Sequence, residues 1–272
     1  GGGKGRAGKE KRGRVGGGNI GGAEANTHHR GEKNVRTSGE VDALRIKKEN
    51  FYANQVMWDG WVNSEKQHMH IIGHWNYKDG VTKNIYVVST ADKVELKVNG
   101  ISIGFGTKTD GFLFTFKNIE WQPGSISAVG FDANNKSVCS DEIKTAGTPV
   151  ALRLNIVKRP TDFIADGHDI DLVEVEVVDA NGNRCPTALN MINYTLNGPA
   201  EWRGGIAMGK ENYILTKSFP VEGGVNRFMI RSTNTPGTIT IKATSDDLKD
   251  ATITLITKPF ATENGLTKVL PS

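Results

Sequence analysis

From Glu65 onward the chain alternates between apolar and polar positions. Ile85 and Val87, then Val94, Leu96 and Val98, then Ile101 and Ile103 take every second place in successive short runs, the period of half-buried strands. Asn99-Gly100 lies between two of these runs. Asn-Gly accepts positive φ at both central positions of a type I′ turn, so it predicts a tight hairpin. Asp110-Gly111, Pro123-Gly124 and Asn134-Asn135 separate further runs, among them Phe112, Phe114 and Phe116. Strands this short at this spacing predict a small antiparallel sandwich over residues 65–147. A second series begins at Pro149, with Leu152, Leu154 and Ile156, then Val173, Val175 and Val177 facing in while Glu174 and Glu176 face out. It continues through the turn Asp179-Ala180-Asn181-Gly182 to Ile239 and Ile241, a turn at Asp246-Asp247, and Ile253 and Leu255. Residues 148–258 predict another antiparallel sandwich of immunoglobulin size, followed by a tail over 259–272.

The period changes only between Val41 and Trp61, VDALRIKKENFYANQVMWDGW. Here Phe51, Gln55 and Trp58, or alternatively Tyr52 and Val56, recur at helical spacing, and Gly60 reads as the stop. A helix this short needs a surface to bury a face. The expected cover is the first sandwich around Trp75. Residues 1–22 hold eleven glycines, too many for a helix or strand core, which predicts loop. The fold class is therefore mainly β: two immunoglobulin-like sandwiches preceded by a loop-rich segment, residues 1–64, that carries one short helix.

Charge changes the picture at one end only. Residues 1–36 hold nine Lys/Arg against three Asp/Glu, +6, and the remaining 236 hold 25 against 27, −2. Gly3-Lys4-Gly5-Arg6-Ala7-Gly8-Lys9 has phosphate-loop spacing, but Glu10 stands where a magnesium-binding Ser or Thr belongs, and no apolar strand precedes it. No aromatic is interleaved with these cations before Phe51, which argues against base stacking and leaves nucleic acid out of the expected partners. No apolar run approaches a membrane span, and the N-terminus lacks the apolar middle of a signal peptide. Cys139 and Cys185 are 46 positions apart and predict neither a disulfide framework nor a cysteine zinc site.

Candidate chemistry gathers in two places. QHMHIIGHWNY carries His68, His70 and His74 within seven positions. His68 and His70 share a strand face, which is compatible with zinc. Glu65 and Asp79 flank them without a ligand spacing, so structural histidines and no metal are expected. NTHHRGEKN presents His28, His29, Arg30 and Glu32, side chains able to hydrogen-bond sugar hydroxyls or anionic substituents. Trp58, Trp61, Trp75, Trp121 and Trp202 could each stack on a sugar, although lone tryptophans more often fill cores.

HIIGHWNY followed by NIYVVSTADKVELKVNGISIG resembles the first sandwich after the catalytic barrel of glycoside hydrolase family 2, as in bacterial β-galactosidases. DLVEVEVVDANGNRCPTALNMINYTLNGPAEW and TPGTITIKATSDDLKDATITL are similar to the accessory sandwich beyond it, and SGEVDALRIKKENFYANQVMWDGW to the last helix of the (β/α)8 barrel. The resemblance implies a retaining hydrolase of β-galactosides or related glycans, working without a cofactor and placed in the periplasm or secreted. Its carbohydrate substrate would bind through the barrel, with homo-oligomerisation left open. It makes His28, His29, Arg30 and Glu32 candidates for the substrate rim and places Trp75 between sandwich and barrel. Retaining glycosidases need two carboxylates about 5–5.5 Å apart, and the family's acid/base follows an Asn. The chain has no Asn-Glu dipeptide, so no catalytic residue is assigned within it. The catalytic pair is expected upstream of Gly1, and the chain alone is expected to be inactive. The competing expectation is a pair of non-catalytic modules that bind glycan or protein at a cell surface.

Overall fold

A computed structural model of the chain describes residues 41–267 apart from 42, 43, 64, 209, 210, 264 and 265. The described part is mainly β, with one helix, α1 (Glu49–Val62). It forms two compact units that meet in sequence between Thr145 and Ala146.

The first unit packs two four-stranded antiparallel sheets. One is ordered β1 (Met69–Ile71), β2 (Thr82–Ser89), β6 (Leu113–Glu120), β5 (Thr107–Thr109); the other β4 (Ile101–Phe105), β3 (Lys93–Val98), β7 (Ser125–Phe131), β8 (Ser137–Lys144). Their inward residues make the core: Ile85, Val87, Val94, Leu96, Val98, Phe114 and Phe116 are all buried. Asn99 and Gly100 join β3 to β4 with φ of 50° and 80°, the two positive values of a type I′ turn. Ile101 and Ile103 do not follow the expected inward pattern and are 71% and 46% exposed. β4 is an edge strand, and the pairing slips there, with Leu96 opposite Gly104 and Lys97 opposite Ser102, so Ile103 is the extra residue of a bulge.

The second unit packs two five-stranded sheets. One is ordered β10 (Ile164–Ala165), β18 (Ala251–Pro259), β17 (Gly237–Thr244), β12 (Met191–Asn197), β15 (Ser218–Pro220). The other is β14 (Glu211–Ile214), β13 (Ala200–Met208), β16 (Val225–Ser232), β11 (Ile170–Val178), β9 (Ala151–Ile156). Among the described residues the two-residue pairing of β10 with β18 is parallel, as is an isolated bridge between Ala151 and Lys249, and the other strand pairings of this unit are antiparallel. Val173, Val175, Val177, Ile239 and Ile241 are fully buried, as the alternation predicts. At the centre the Tyr194 ring lies 4.7 Å from Phe219 and 4.8 Å from Phe228, and Trp202 lies 4.7 Å from Phe228. Such offset aromatic contacts add stability beyond the area they bury.

Both units use the same turn. Asp132 accepts the N–H groups of Asn134 and Lys136, and Asp179 those of Asn181 and Asn183. The left-handed position that follows is filled by Asn135 (φ 61°) and Gly182 (φ 78°), residue types that tolerate it. Asp179 also accepts from Gly147 at 2.8 Å, which fixes the start of the second unit to its own sheet.

The helix is shorter than its pattern suggests and continues past its expected stop. Val41 and Lys47 form an isolated bridge and Arg45 has φ 62°, so regular structure begins only at Glu49. Gly60 lies inside α1 because the Phe112 ring crosses it. A Cβ built there would sit 2.3 Å from Phe112 Cε1.

Candidate functional site

α1 lies against β1 and β2, and its contact face is set by Tyr52, Val56, Asp59 and Gly60, four positions on one side of a helix of 3.6 residues per turn. Of the two registers open in the sequence, the structure uses the one with Tyr52 and Val56. Val56 is fully buried, whereas Trp58 and Trp61, on other faces, are 59% and 56% exposed. Trp61 still meets the Phe112 ring edge-on at 5.5 Å.

Met69 and Ile71 of β1 point into the core, so His68 and His70 point out toward the helix. His68 Nδ1 is 2.9 Å from Asp59 Oδ2, and His70 Nε2 is 2.8 Å from Glu49 Oε2. The other nitrogen of His70 lies 3.6 Å from Asp141 Oδ2, an oxygen that also accepts the Ile71 N–H. Tyr52 stacks on the His70 ring with centroids 4.2 Å apart. The hydrogen bond with His68 holds the Asp59 carboxyl below the usual carboxylate range against the opposing effect of burial, helped by Asn63 and Lys66. His74 takes no part. It stacks on Tyr77 and accepts the Asn76 N–H, and burial, with Lys83 nearby, lowers its pKa.

The chemistry of this junction is attachment. Glu49 and Asp141 approach His70 through opposite ring nitrogens, so the two carboxylates bracket the imidazole and do not converge with it on a point where an ion could sit. Among the described residues no group of three or more His, Cys, Asp or Glu could hold a metal. Trp75 is buried in the core of the first sandwich itself, its Nε1–H donating to the Gln122 carbonyl at 2.9 Å. The helix contacts described above run through His68, His70 and Phe112. Trp121 and Trp202 are packed against the two cores and likewise donate to carbonyls, of Trp75 and Thr216.

The candidate rim residues His28, His29, Arg30 and Glu32 lie outside the described residues. So does Gly1, the point upstream of which the catalytic carboxylates are expected, and that expectation concerns residues beyond this chain. Sequence reasoning missed Asp59, Glu49 and Asp141 as partners of the histidines. Asp59 had a visible signal, since it falls three and seven positions after Val56 and Tyr52 on their face.

Comparison with known proteins fits this arrangement of sandwiches. The model described as "Glycoside hydrolase family 2 C-terminal domain 5" matches residues 154–254, and "Domain of unknown function (DUF4982)" matches residues 80–139. A β-glucuronidase of Formosa agariphila is 43% identical over 239 residues, which are 87% of this chain and 24% of that protein. A β-galactosidase of Bacteroides ovatus, BoGH2A, is 32% identical over 221 residues, 79% of this chain and 25% of that protein. The solved structure of a β-glucuronidase from glycoside hydrolase family 2 superposes with TM-score 0.81 at 40% identity, covering 88% of this chain and 24% of that one. The chain thus spans about a quarter of the length of each of these relatives. Fold and matches define a pair of β-sandwiches like those in the C-terminal part of these relatives. The chain belongs to glycoside hydrolase family 2, in the C-terminal part of such proteins.

Proposed function

We propose that this chain is the accessory region of a retaining glycosidase, in which two sandwiches and α1 support a catalytic domain, upstream of Gly1, that supplies both carboxylates. The observation that carries the proposal is the match across 87% of the chain to a β-glucuronidase and 79% to a β-galactosidase. The geometry agrees with a supporting role. The carboxylates gathered near α1, Glu49, Asp59 and Asp141, are engaged with histidines, whereas retaining hydrolysis needs an opposed pair about 5–5.5 Å apart around a sugar.

The substrate of the intact enzyme is a β-galactoside or a related β-glycan, and the names of the relatives bring β-glucuronides into that range. His28, His29, Arg30 and Glu32 remain proposed rim residues, suited to sugar hydroxyls or a uronate carboxylate. The proposed division has residues 1–64 as the end of the catalytic barrel, 65–147 and 148–258 as the sandwiches and 259–272 as a tail. The test is hydrolysis of aryl β-galactoside and β-glucuronide by the enzyme that contains this chain, with the first-formed anomer read by proton NMR. A β-anomer supports the proposal; an α-anomer, or cleavage of neither substrate, contradicts it.

A further inference from the structure

Asn-Gly occurs at Asn99, Asn181, Asn197 and Asn264, the last of which lies outside the described residues. Each pair sets a nucleophile beside an electrophile. The backbone nitrogen of the glycine can attack Cγ of the asparagine amide, and no Cβ on the glycine shields that nitrogen. An intramolecular reaction of this kind depends on whether the two atoms can come within about 3–3.5 Å in line. The fold treats the three described pairs differently.

Asn99 is held at both ends of its amide. Its Oδ1 accepts the Ser125 N–H at 2.8 Å and its Nδ2 donates to the Pro123 carbonyl at 3.1 Å, so Cγ cannot swing onto Gly100 without losing both bonds. At Asn197 the glycine is the fixed partner. Asn197 pairs with Thr240, and a Cβ built on Gly198 would lie 2.3 Å from the Thr238 carbonyl oxygen, so the Gly198 backbone is pressed against the next strand. Asn181 has neither restraint. Asn181 and Gly182 are exposed on a turn, and the Asn181 amide makes no hydrogen bond with any described residue. Among the described residues, a Cβ built on Gly182 would meet Arg153 Nη1 at 3.7 Å, which is ordinary contact. What holds the pair is the turn itself, in which the Gly182 N–H donates to the Asp179 carbonyl at 3.0 Å and the Asn181 N–H to Asp179 Oδ1 at 2.9 Å. Opening this surface turn is a local event that leaves the sandwich folded.

We propose that Asn181 is a modification site, at which the side chain converts without an enzyme to aspartate and isoaspartate. The Gly182 nitrogen bonds to Cγ, the Cγ–Nδ2 bond breaks, and the proton of Gly182 passes through solvent to the departing nitrogen, which leaves as ammonia. Water then opens the five-membered imide at either carbonyl. Opening at one carbonyl leaves an ordinary aspartate; opening at the other routes the main chain through Cβ and lengthens it by one atom. Both products place a new negative charge two residues from Asp179. Asp179 also accepts the N–H groups of Gly147 and Asn183, each at 2.8 Å, so the conversion loosens the tie between this turn and the start of the second unit. The reaction is independent of the proposed hydrolysis, since it needs no catalytic domain.

The test is ageing of the full chain in mildly alkaline buffer, with conversion at each Asn-Gly followed in proteolytic fragments by the mass gain of amide-to-acid exchange. In the folded chain Asn181 should convert at least fivefold faster than Asn99 or Asn197, and in denaturant the three rates should draw together. Asn181→Gln, where attack would have to close a six-membered ring, should remove the fast conversion. Hydrogen exchange at Gly147 and Asn183 should be faster in the aged chain than in the fresh one, and unchanged by ageing in Asn181→Gln. Three results overturn the proposal: conversion at Asn99 or Asn197 as fast as at Asn181 in the folded chain, a preference for Asn181 that persists undiminished in denaturant, or exchange at Gly147 unaffected by conversion. Mass and exchange, not turnover, are the readouts, so failure here leaves the hydrolase proposal standing.

Discussion

The first sandwich holds a helix on its edge strand β1 through polar side chains, His68 to Asp59 and His70 to Glu49, whereas the second closes around the rings of Tyr194, Trp202, Phe219 and Phe228. Both have the same turn and the same alternation of strand residues. They differ in where specificity is stored. In the second unit it lies in packed aromatic volume, which carries most of its stability in non-directional burial. In the first it lies partly in an interface of paired imidazoles and carboxylates, whose strength depends on geometry and protonation.

The comparison is broken most strongly by Phe228→Ala. Emptying the centre of the aromatic cluster should destabilise the second unit by about 3–5 kcal/mol. Hydrogen exchange should speed up in β11 and β17 and stay unchanged in β3 and β7; equal loss in both units would show that they do not store stability separately. A smaller effect is expected from Gly60→Val, which forces the Phe112 ring off the helix and should cost about 1–3 kcal/mol as overpacking. Exchange protection of α1 should fall while that of β7 holds. Unchanged protection of α1 would show that the close approach of Phe112 does not set how the helix docks.

The smallest effect sharpens the polar side of the comparison. Asp59 titrates in the folded chain below its unfolded value of about 3.9. A carboxylate depressed in this way stabilises the folded state above its unfolded pKa and loses that contribution as pH falls through the folded value. Protection of α1 should therefore decline on acidification below about pH 4, and Asp59→Asn should flatten that part of the profile. An identical acid profile in the variant would remove Asp59 from the attachment.

Much of this organisation is legible in the residues themselves. Val94, Leu96 and Val98, or Val173, Val175 and Val177, can be placed inside because a central strand that alternates has one face to bury. The same alternation at Ile101 and Ile103 misleads, since periodicity says which residues share a face but not whether an edge strand is covered or bulged. Val41 to Lys48 reads as helix by composition, yet the left-handed Arg45 breaks it. Gly60 reads as a stop because glycine often ends helices, whereas here it admits a ring from a distant strand. The histidines were visible, but their partners Glu49 and Asp141 lie 21 and 71 positions from His70 and meet it only through the fold.

The central claim is that this region supports catalysis that takes place elsewhere, and turnover by the purified 272-residue chain tests it most directly. With 4-nitrophenyl β-galactoside and 4-nitrophenyl β-glucuronide the account predicts no nitrophenol release above the buffer background. Release from either substrate that disappears on substitution of a single Asp or Glu within the chain would contradict it.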